Sequence, residues 1–349
     1  MDGIGKNLKR IRLLKKLSLK EAGNLLNMSA TAVSKYEKGE ILPDSKKIID
    51  FSNAYNVKTI DLLKFYDAPK MNFTSFRKKK RLTGQKLELL KQLIQDEVAK
   101  YLEIIELNNI ESNNKSLKKY LCTSINDAEK AANDFRNFIN ISNKQPISDL
   151  INILENLGIV IIQIKNPNNT FDDFDGLSEV VGGVPIIVVL DGIKDGARQR
   201  FTIAHELGHL LLKVDNQKLD EEKLCHRFAS ALLMPKESVI NEFGISRGNI
   251  SFYELIAFKK EFKVSYTAII YRLKDLNIIT EYLYKKLSII LSQKVGKNDL
   301  DPILPEVSYQ FKRLVYKLEV DGIISLNKAC ELLGVTAHEY TSEENNYWY

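Results

Sequence analysis

Cysteine is scarce in this 349-residue chain. Cys122, Cys225 and Cys330 stand far apart. Three isolated thiols make no disulfide framework, so a stapled extracellular scaffold is excluded and a reducing, cytoplasmic location is expected. Long apolar runs are missing too: none approaches the roughly 20 residues that a membrane-spanning helix requires. The opening "MDGIGKNLKRIRLLKK" has no apolar segment ahead of a small-residue cleavage site, so no secretory signal is expected either. Excess charge is modest, at +6, but it is unevenly placed. Residues 1–66 hold 13 Lys/Arg against 7 Asp/Glu, a surplus that equals that of the whole chain. A basic N-terminal module points to a polyanionic partner.

What is present fits a folded protein of two or three domains, with 44% hydrophobic and 28% charged residues. Apolar spacing predicts short helices over about 5–16, 18–26, 30–37, 44–55 and 59–66. A linker over 67–81 follows, with a basic cluster at 77–81, "RKKKR". That cluster either extends a DNA footprint or is a solvated linker. Leu87, Leu90, Ile94, Val98, Tyr101 and Ile105 mark one long amphipathic helix over 83–107. It either pairs with its copy in a dimer or docks on the following domain, and docking is the favoured expectation. Residues 108–119 read as a loop, and no repeat of solenoid period is visible.

From about 126 the texture changes. Helical patterns at 126–140 and 146–157 lead into the β-prone runs "GIVIIQI" (158–164) and "PIIVVL" (185–190). Helices are expected around 200–212 and over 220–235, 251–262, 265–275 and 280–293, with two more in a C-terminal extension, 296–349. The fold class expected is mainly α with a small β-sheet (α+β). The domains expected are 1–66, a connecting region 67–124, 125–295, and the helical extension 296–349.

The stretch "RFTIAHELGHLLL" (200–212) sets one carboxylate and two imidazoles in an oily helix. His205 and His209 are four apart and share a helix face. Two neutral imidazoles so placed can hold one Zn²⁺. Glu206 points to an adjacent part of the surface and can take a proton from the attacking water, the HExxH pattern of zinc metalloproteases. Three of the four histidines, His205, His209 and His226, fall within 22 residues. The helix also follows a β-prone run, and zinc peptidases commonly set an edge strand beside the site helix. A catalytic zinc site needs a third protein ligand. The helix over 220–235 offers Glu222 and His226, four apart on one face. One would ligate while the other orients a ligating histidine.

Together, "RQRFTIAHELGHLLL" and "EKLCHRFASALLMP" resemble the ImmA/IrrE family of metallopeptidases, and so do "FDGLSEV", "PIIVVL" and "RLKDLNIIT". The likeness covers roughly 125–295. It implies a zincin-like fold, Zn²⁺ held by His205, His209 and Glu222, and Glu206 as the catalytic acid/base. This chain departs from the family pattern at Cys225 and His226, which leaves His226 as a hydrogen-bonding neighbour of the site or an alternative ligand. Tyr266, Tyr271 and Arg198 are unranked candidates for stabilising an oxyanion.

"SLKEAGNLLNMSATAVSKYEKGEILPD" (18–44) reads as helix, tight turn, helix. Ser29 is a good N-cap for the third helix. Ala22, Leu25, Val33 and Tyr36 are expected inside, with Thr31, Ser34 and Lys35 on the outer face. Small polar and basic residues there suit the major groove. "VSKYEKG" in this setting resembles the XRE, lambda-repressor-like helix-turn-helix. Leu19 replaces a glutamine frequent in that family, so phosphate contacts are expected from Lys35, then Lys38 and Arg10.

These resemblances imply a DNA-binding regulator fused to a zinc metallopeptidase. Its expected partners are a double-stranded DNA operator and a protein substrate, a repressor or antitoxin-like regulator, with no membrane and with a homodimer as one arrangement on DNA. The alternatives are a sensor regulator whose zincin-like domain is not catalytic, and a toxin–antitoxin component.

Overall fold

The computed structural model describes residues 3–63, 69–73, 84–108, 117–191, 195–214, 219–294 and 301–348. The basic cluster at 77–81 lies outside them. The fold is α+β, mainly helical, and divides into two compact units: Met1–Glu103 with Pro167–Phe174, and Ile104–Asn166 with Asp175–Tyr349. No described helix is long and apolar enough to cross a membrane.

The first unit begins with α1 (Gly3–Leu14), α2 (Leu19–Leu25), α3 (Ala30–Glu37), α4 (Ser45–Tyr55) and α5 (Thr59–Leu63). Ser18 and Glu21 form a reciprocal capping box at α2, and the Ser29 hydroxyl accepts from Ala32 N (3.1 Å) at the start of α3. Leu8, Ile11, Ala22, Leu26, Val33, Phe51, Tyr55 and Leu62 make the core. The expected inward position in α2 shifts by one residue: Leu25 is 53% exposed and Leu26 7%. The cause is the helical repeat: Leu26 follows the buried Ala22 by four residues, its N–H still bonded back to Ala22 O, and so shares its inward face.

A buried ion pair ties α1 to the end of α3. Arg12 donates Nε to Glu37 Oε1 (2.5 Å) and Nη2 to Oε2 (2.9 Å), and its Nη1 reaches Leu17 O (2.7 Å). The long helix α6 (Gly84–Leu107) runs residues 84–103 through this unit. Glu88 and Asp96 on it meet Lys9 (3.3 Å) and Arg10 (3.2 Å) of α1. Residues 84–103 of this helix thus pack against the N-terminal helices, and Arg10 pairs with a carboxylate.

The second unit contains two small sheets. A short parallel pair joins β1 (Tyr120–Cys122) to a strand at Leu212–Val214, β5 in chain order. The larger sheet has the order β2-β4-β3 and is formed by β2 (Val160–Lys165), β3 (Gly176–Val181) and β4 (Val184–Asp191). β2 and β4 are parallel, with Val160 opposite Ile186. β3 and β4 form a hairpin closed by Gly182-Gly183, both at positive φ, the two-residue turn that suits strand twist. "PIIVVL" is therefore the central strand, buried along its length, and β3 is the edge strand beside the site helix. Around the sheets pack α7 (Ile125–Phe138), α8 (Leu150–Asn156), the site helix α9 (Gly196–Leu211), α10 (Glu221–Leu233), α11 (Lys236–Phe243), α12 (Phe252–Phe262), α13 (Tyr266–Asp275) and α14 (Glu281–Lys294).

The C-terminal extension holds three helices, not two: α15 (Gln310–Val320), α16 (Leu326–Leu333) and α17 (Ala337–Trp348). They repeat the framework of α1–α3 at a constant offset of 307 residues (311 − 4). Ile4, Leu8, Ile11, Ser18, Ala22, Ser29 and Val33 recur as Phe311, Val315, Leu318, Ser325, Ala329, Thr336 and Tyr340. Leu8, Ile11, Ala22 and Val33 and their counterparts are buried in both copies, Ile4 and Phe311 are half-buried, Ser18 and Ser325 both cap their helices, and the turns place Asn27 and Gly334 both at positive φ. Ile104, at the end of α6, completes the second core. The solvent faces diverge. Residues 3–41 carry 9 Lys/Arg against 3 Asp/Glu, whereas residues 310–348 carry 4 against 6. An ungapped repeat this diverged escapes a search for tandem periods.

Ahead of α15, an extended strap crosses the start of the site helix. Gln199 clasps Glu306 at both its N–H (2.8 Å) and C=O (2.9 Å). Gln163 on β2 receives Ser308 N (2.9 Å) and donates to Glu306 O (3.0 Å). The Glu306 carboxylate accepts from Arg200, which is fully buried, and from Ile151 N (2.9 Å). Breaking one side of a buried pair strands the other charge, at a cost of about 3–5 kcal/mol. Glu306→Ala should therefore lower the unfolding free energy by about that much, read as a lower urea midpoint of the full chain.

Candidate metal centre

The site is made by two helices that meet closely. On α9, Ile203, Leu207, Leu210 and Leu211 face the core, while the rings of His205 and His209 meet edge to face one turn apart with centroids 5.0 Å apart. A Cβ at Gly208 would sit 3.2 Å from the Cα of Cys225, so a glycine there lets α10 press against α9. The first turn of α10, capped by Asp220, then presents Glu221 and Glu222 to the histidines. Negative side chains at a helix N-terminus are favoured by the helix dipole.

Glu222 Oε2 lies 3.1 Å from His205 Nε2, and Glu222 Oε1 lies 3.6 Å from His209 Nε2. One ligand atom from each of His205, His209 and Glu222 falls within 4.8 Å of the others, and these three are the group among the described residues that could hold a metal ion. Ligands bound tetrahedrally to zinc at about 2.0–2.1 Å stand roughly 3.3 Å apart. Two imidazole nitrogens and a carboxylate at this spacing fit a zinc-type ion.

The electrostatics favour positive charge at the same point. His205 and His209 hold the Glu222 carboxyl well below the usual carboxylate range, against its partial burial. Burial works against a charged His209 ring, but Cys225 and Glu222 outweigh it and push the imidazole up to about 11. A metal-free site therefore keeps a proton where a cation would sit.

Glu206 is buried beside the ligand pair, and the Ser178 hydroxyl donates to its Oε2 (3.0 Å). β3 comes this close because Gly176 lacks a side chain: a Cβ there would meet Glu206 Cγ and Oε1 at 2.9 Å. His226 lies outside the three-residue group. It is exposed, with its ring 4.5 Å from that of His205 and stacked on Phe201 at 5.7 Å. Arg198 pairs with Asp175 (2.9 Å), Tyr266 is buried against Phe252 and Lys259, and Tyr271 meets Tyr284 edge to face at the surface. Sequence reasoning missed Glu221, Ser178 and Gly176. The Gly-Gly turn ahead of "PIIVVL" was the available signal for β3, and through it for Ser178.

In the first unit Thr31 and Lys35 are exposed on α3 and Ser34 is half-buried, one turn beyond the Ser29 cap. Lys38 is exposed beside Glu40 (3.8 Å). Leu19 packs against the core.

Two family models match. Residues 8–62 match that of a helix-turn-helix. Residues 154–274 match that of the IrrE N-terminal-like domain, a peptidase family. The chain joins a helix-turn-helix to an IrrE-like domain. No curated protein matches the chain. The IrrE-like match takes in β2 to α13 and hence all the clustered side chains, and the helix-turn-helix match takes in α2 and α3.

Because Cys225 and Glu222 outweigh burial and raise the proton affinity of His209 in the metal-free site, an incoming ion competes with a proton there. Metal affinity is then greatest at high pH and falls as the pH drops. Zinc titrations against a chromophoric chelator should show about a tenfold loss per pH unit between pH 8 and 6.

Proposed function

We propose that this chain is a cytoplasmic DNA-binding regulator whose second unit is a zinc-dependent endopeptidase, and that its substrate is a repressor or partner regulator. The observation that carries this reading is the convergence of His205, His209 and Glu222 within 4.8 Å, with Glu206 on the same helix. A structural zinc site has no use for such a carboxylate, whereas hydrolysis requires a general base.

In this reading His205, His209 and Glu222 hold Zn²⁺, which when bound polarises a peptide carbonyl and makes water a better nucleophile. Glu206 takes the proton of the attacking water and delivers it to the leaving amine. Ser178 fixes the Glu206 carboxylate by donating to Oε2. The edge strand β3 runs beside the site helix and suits an extended substrate added as a further strand. Lys35, Thr31 and Ser34 form the DNA-reading face, with Ser29 setting the start of the reading helix.

Glu206→Gln should keep about one zinc per chain and normal operator binding, while partner cleavage falls by about 10²–10⁴. His205→Ala or His209→Ala should abolish zinc binding. If Glu206→Gln cells switch their target genes as wild type does, proteolysis is not the output and a non-catalytic sensor is the better reading. Lys35→Ala should weaken binding across DNA sequences and reduce the salt slope by about 1, measured by titration at several salt concentrations.

A further inference from the structure

Two adjacent glutamates open α10, and they address opposite nitrogens of the histidines. Glu222 meets the Nε2 atoms of His205 and His209. Glu221 Oε1 lies 3.0 Å from Nδ1 of His209. Consecutive helix residues point about 100° apart, so one turn can send one carboxylate to the front of the imidazole pair and the other behind it. The lone pairs of Nδ1 and Nε2 diverge across the ring. A carboxylate within hydrogen-bond reach of Nδ1 therefore stands away from an ion held at Nε2, and Glu221 is absent from the three-residue group that converges on one point.

We propose that Glu221 is a positioning residue for the metal centre. It accepts the Nδ1–H of His209, fixes the tautomer whose Nε2 lone pair faces Glu222, and holds the ring at that angle. The inference rests on the metal-site reading above. A carboxylate behind a ligating imidazole raises its basicity and sets its orientation, and removing such a partner typically costs 10–100-fold in metal affinity. The two histidines are served unequally: His205 Nδ1 is buried and has no hydrogen-bond partner in the structure, so this support belongs to His209. His209 is also the less buried of the two, where packing alone leaves its ring freer to turn. Asp220 caps the same turn by accepting from Glu222 N (3.1 Å), which fixes the backbone from which both glutamates project.

The test uses the full chain and zinc alone, in competition with a chromophoric chelator, for wild type, Glu221→Ala, Glu221→Asp, Glu222→Ala and His209→Ala. Cobalt substitution supplies a second readout, since its visible bands report ligand geometry. Glu221 is partly exposed, so its variants should melt as wild type does. The expected result is a 10–100-fold loss of zinc affinity in Glu221→Ala with altered cobalt bands, partial recovery in Glu221→Asp, and complete loss in His209→Ala. If Glu221→Ala binds zinc as wild type does while His209→Ala and Glu222→Ala lose it, the positioning role is overturned and the metal site stands. If Glu221→Ala abolishes binding and Glu222→Ala retains it, Glu221 is a ligand and the proposal falls. If wild type binds no zinc, the metal-site reading itself fails, and this inference with it.

Discussion

The close crossing of α9 and α10 is the constraint on which the candidate site depends. Three ionisable side chains from two helices can share one point only if the backbones approach closely, and Gly208 against Cys225 is where they do. The apolar stripes of both helices hold that crossing: Ile203, Leu207 and Leu211 on one, Leu224, Phe228 and Leu232 on the other, all buried. Glu222 sits at the rim of this contact, only partly buried, where the two imidazoles hold its carboxyl well below the usual range. On the other side of α9, Gly176 allows the edge strand to bring Ser178 to Glu206. Two glycines thus set the spacing of three elements around one carboxylate and two imidazoles.

Each unit also relies on a buried arginine. Arg12 in the first is matched by Glu37, and Arg200 in the second by Glu306. Such pairs add little net stability over apolar packing, but they penalise any arrangement that separates them. In the first unit the pair fixes the far end of α3 to α1. In the second it holds the strap to the helix that carries the histidines.

Much of this was legible in the sequence because periodicity records burial. Most of the helices and two of the strands announce themselves by apolar spacing, though not the helix at Lys236–Phe243 or the third in the C-terminal extension, and the His205–His209 pair does so by its four-residue interval. Three things were not legible, each for a physical reason. Leu25 and Leu26 follow the buried Ala22 by three and four residues, spacings that a periodic pattern admits equally, and only packing at the helix end decides between them. Glu221 looks like an ordinary N-terminal acid, because the sequence does not say which imidazole nitrogen it will meet. Glu306 lies 106 residues beyond Arg200, and no local pattern links a strap residue to a helix so far upstream.

The recurrence of the α1–α3 framework in α15–α17 separates two kinds of information that a single copy confounds. Both copies preserve the inward side chains, the caps and the turn, and they differ in the sign of the charge they show to solvent. Architecture is written in the buried residues of such a unit, and its surface charge drifts independently. A pattern of inward residues therefore certifies shape without certifying a ligand. In this chain the same shape serves once with a surplus of cations, suited to phosphate, and once with a surplus of carboxylates, which a polyanion would repel.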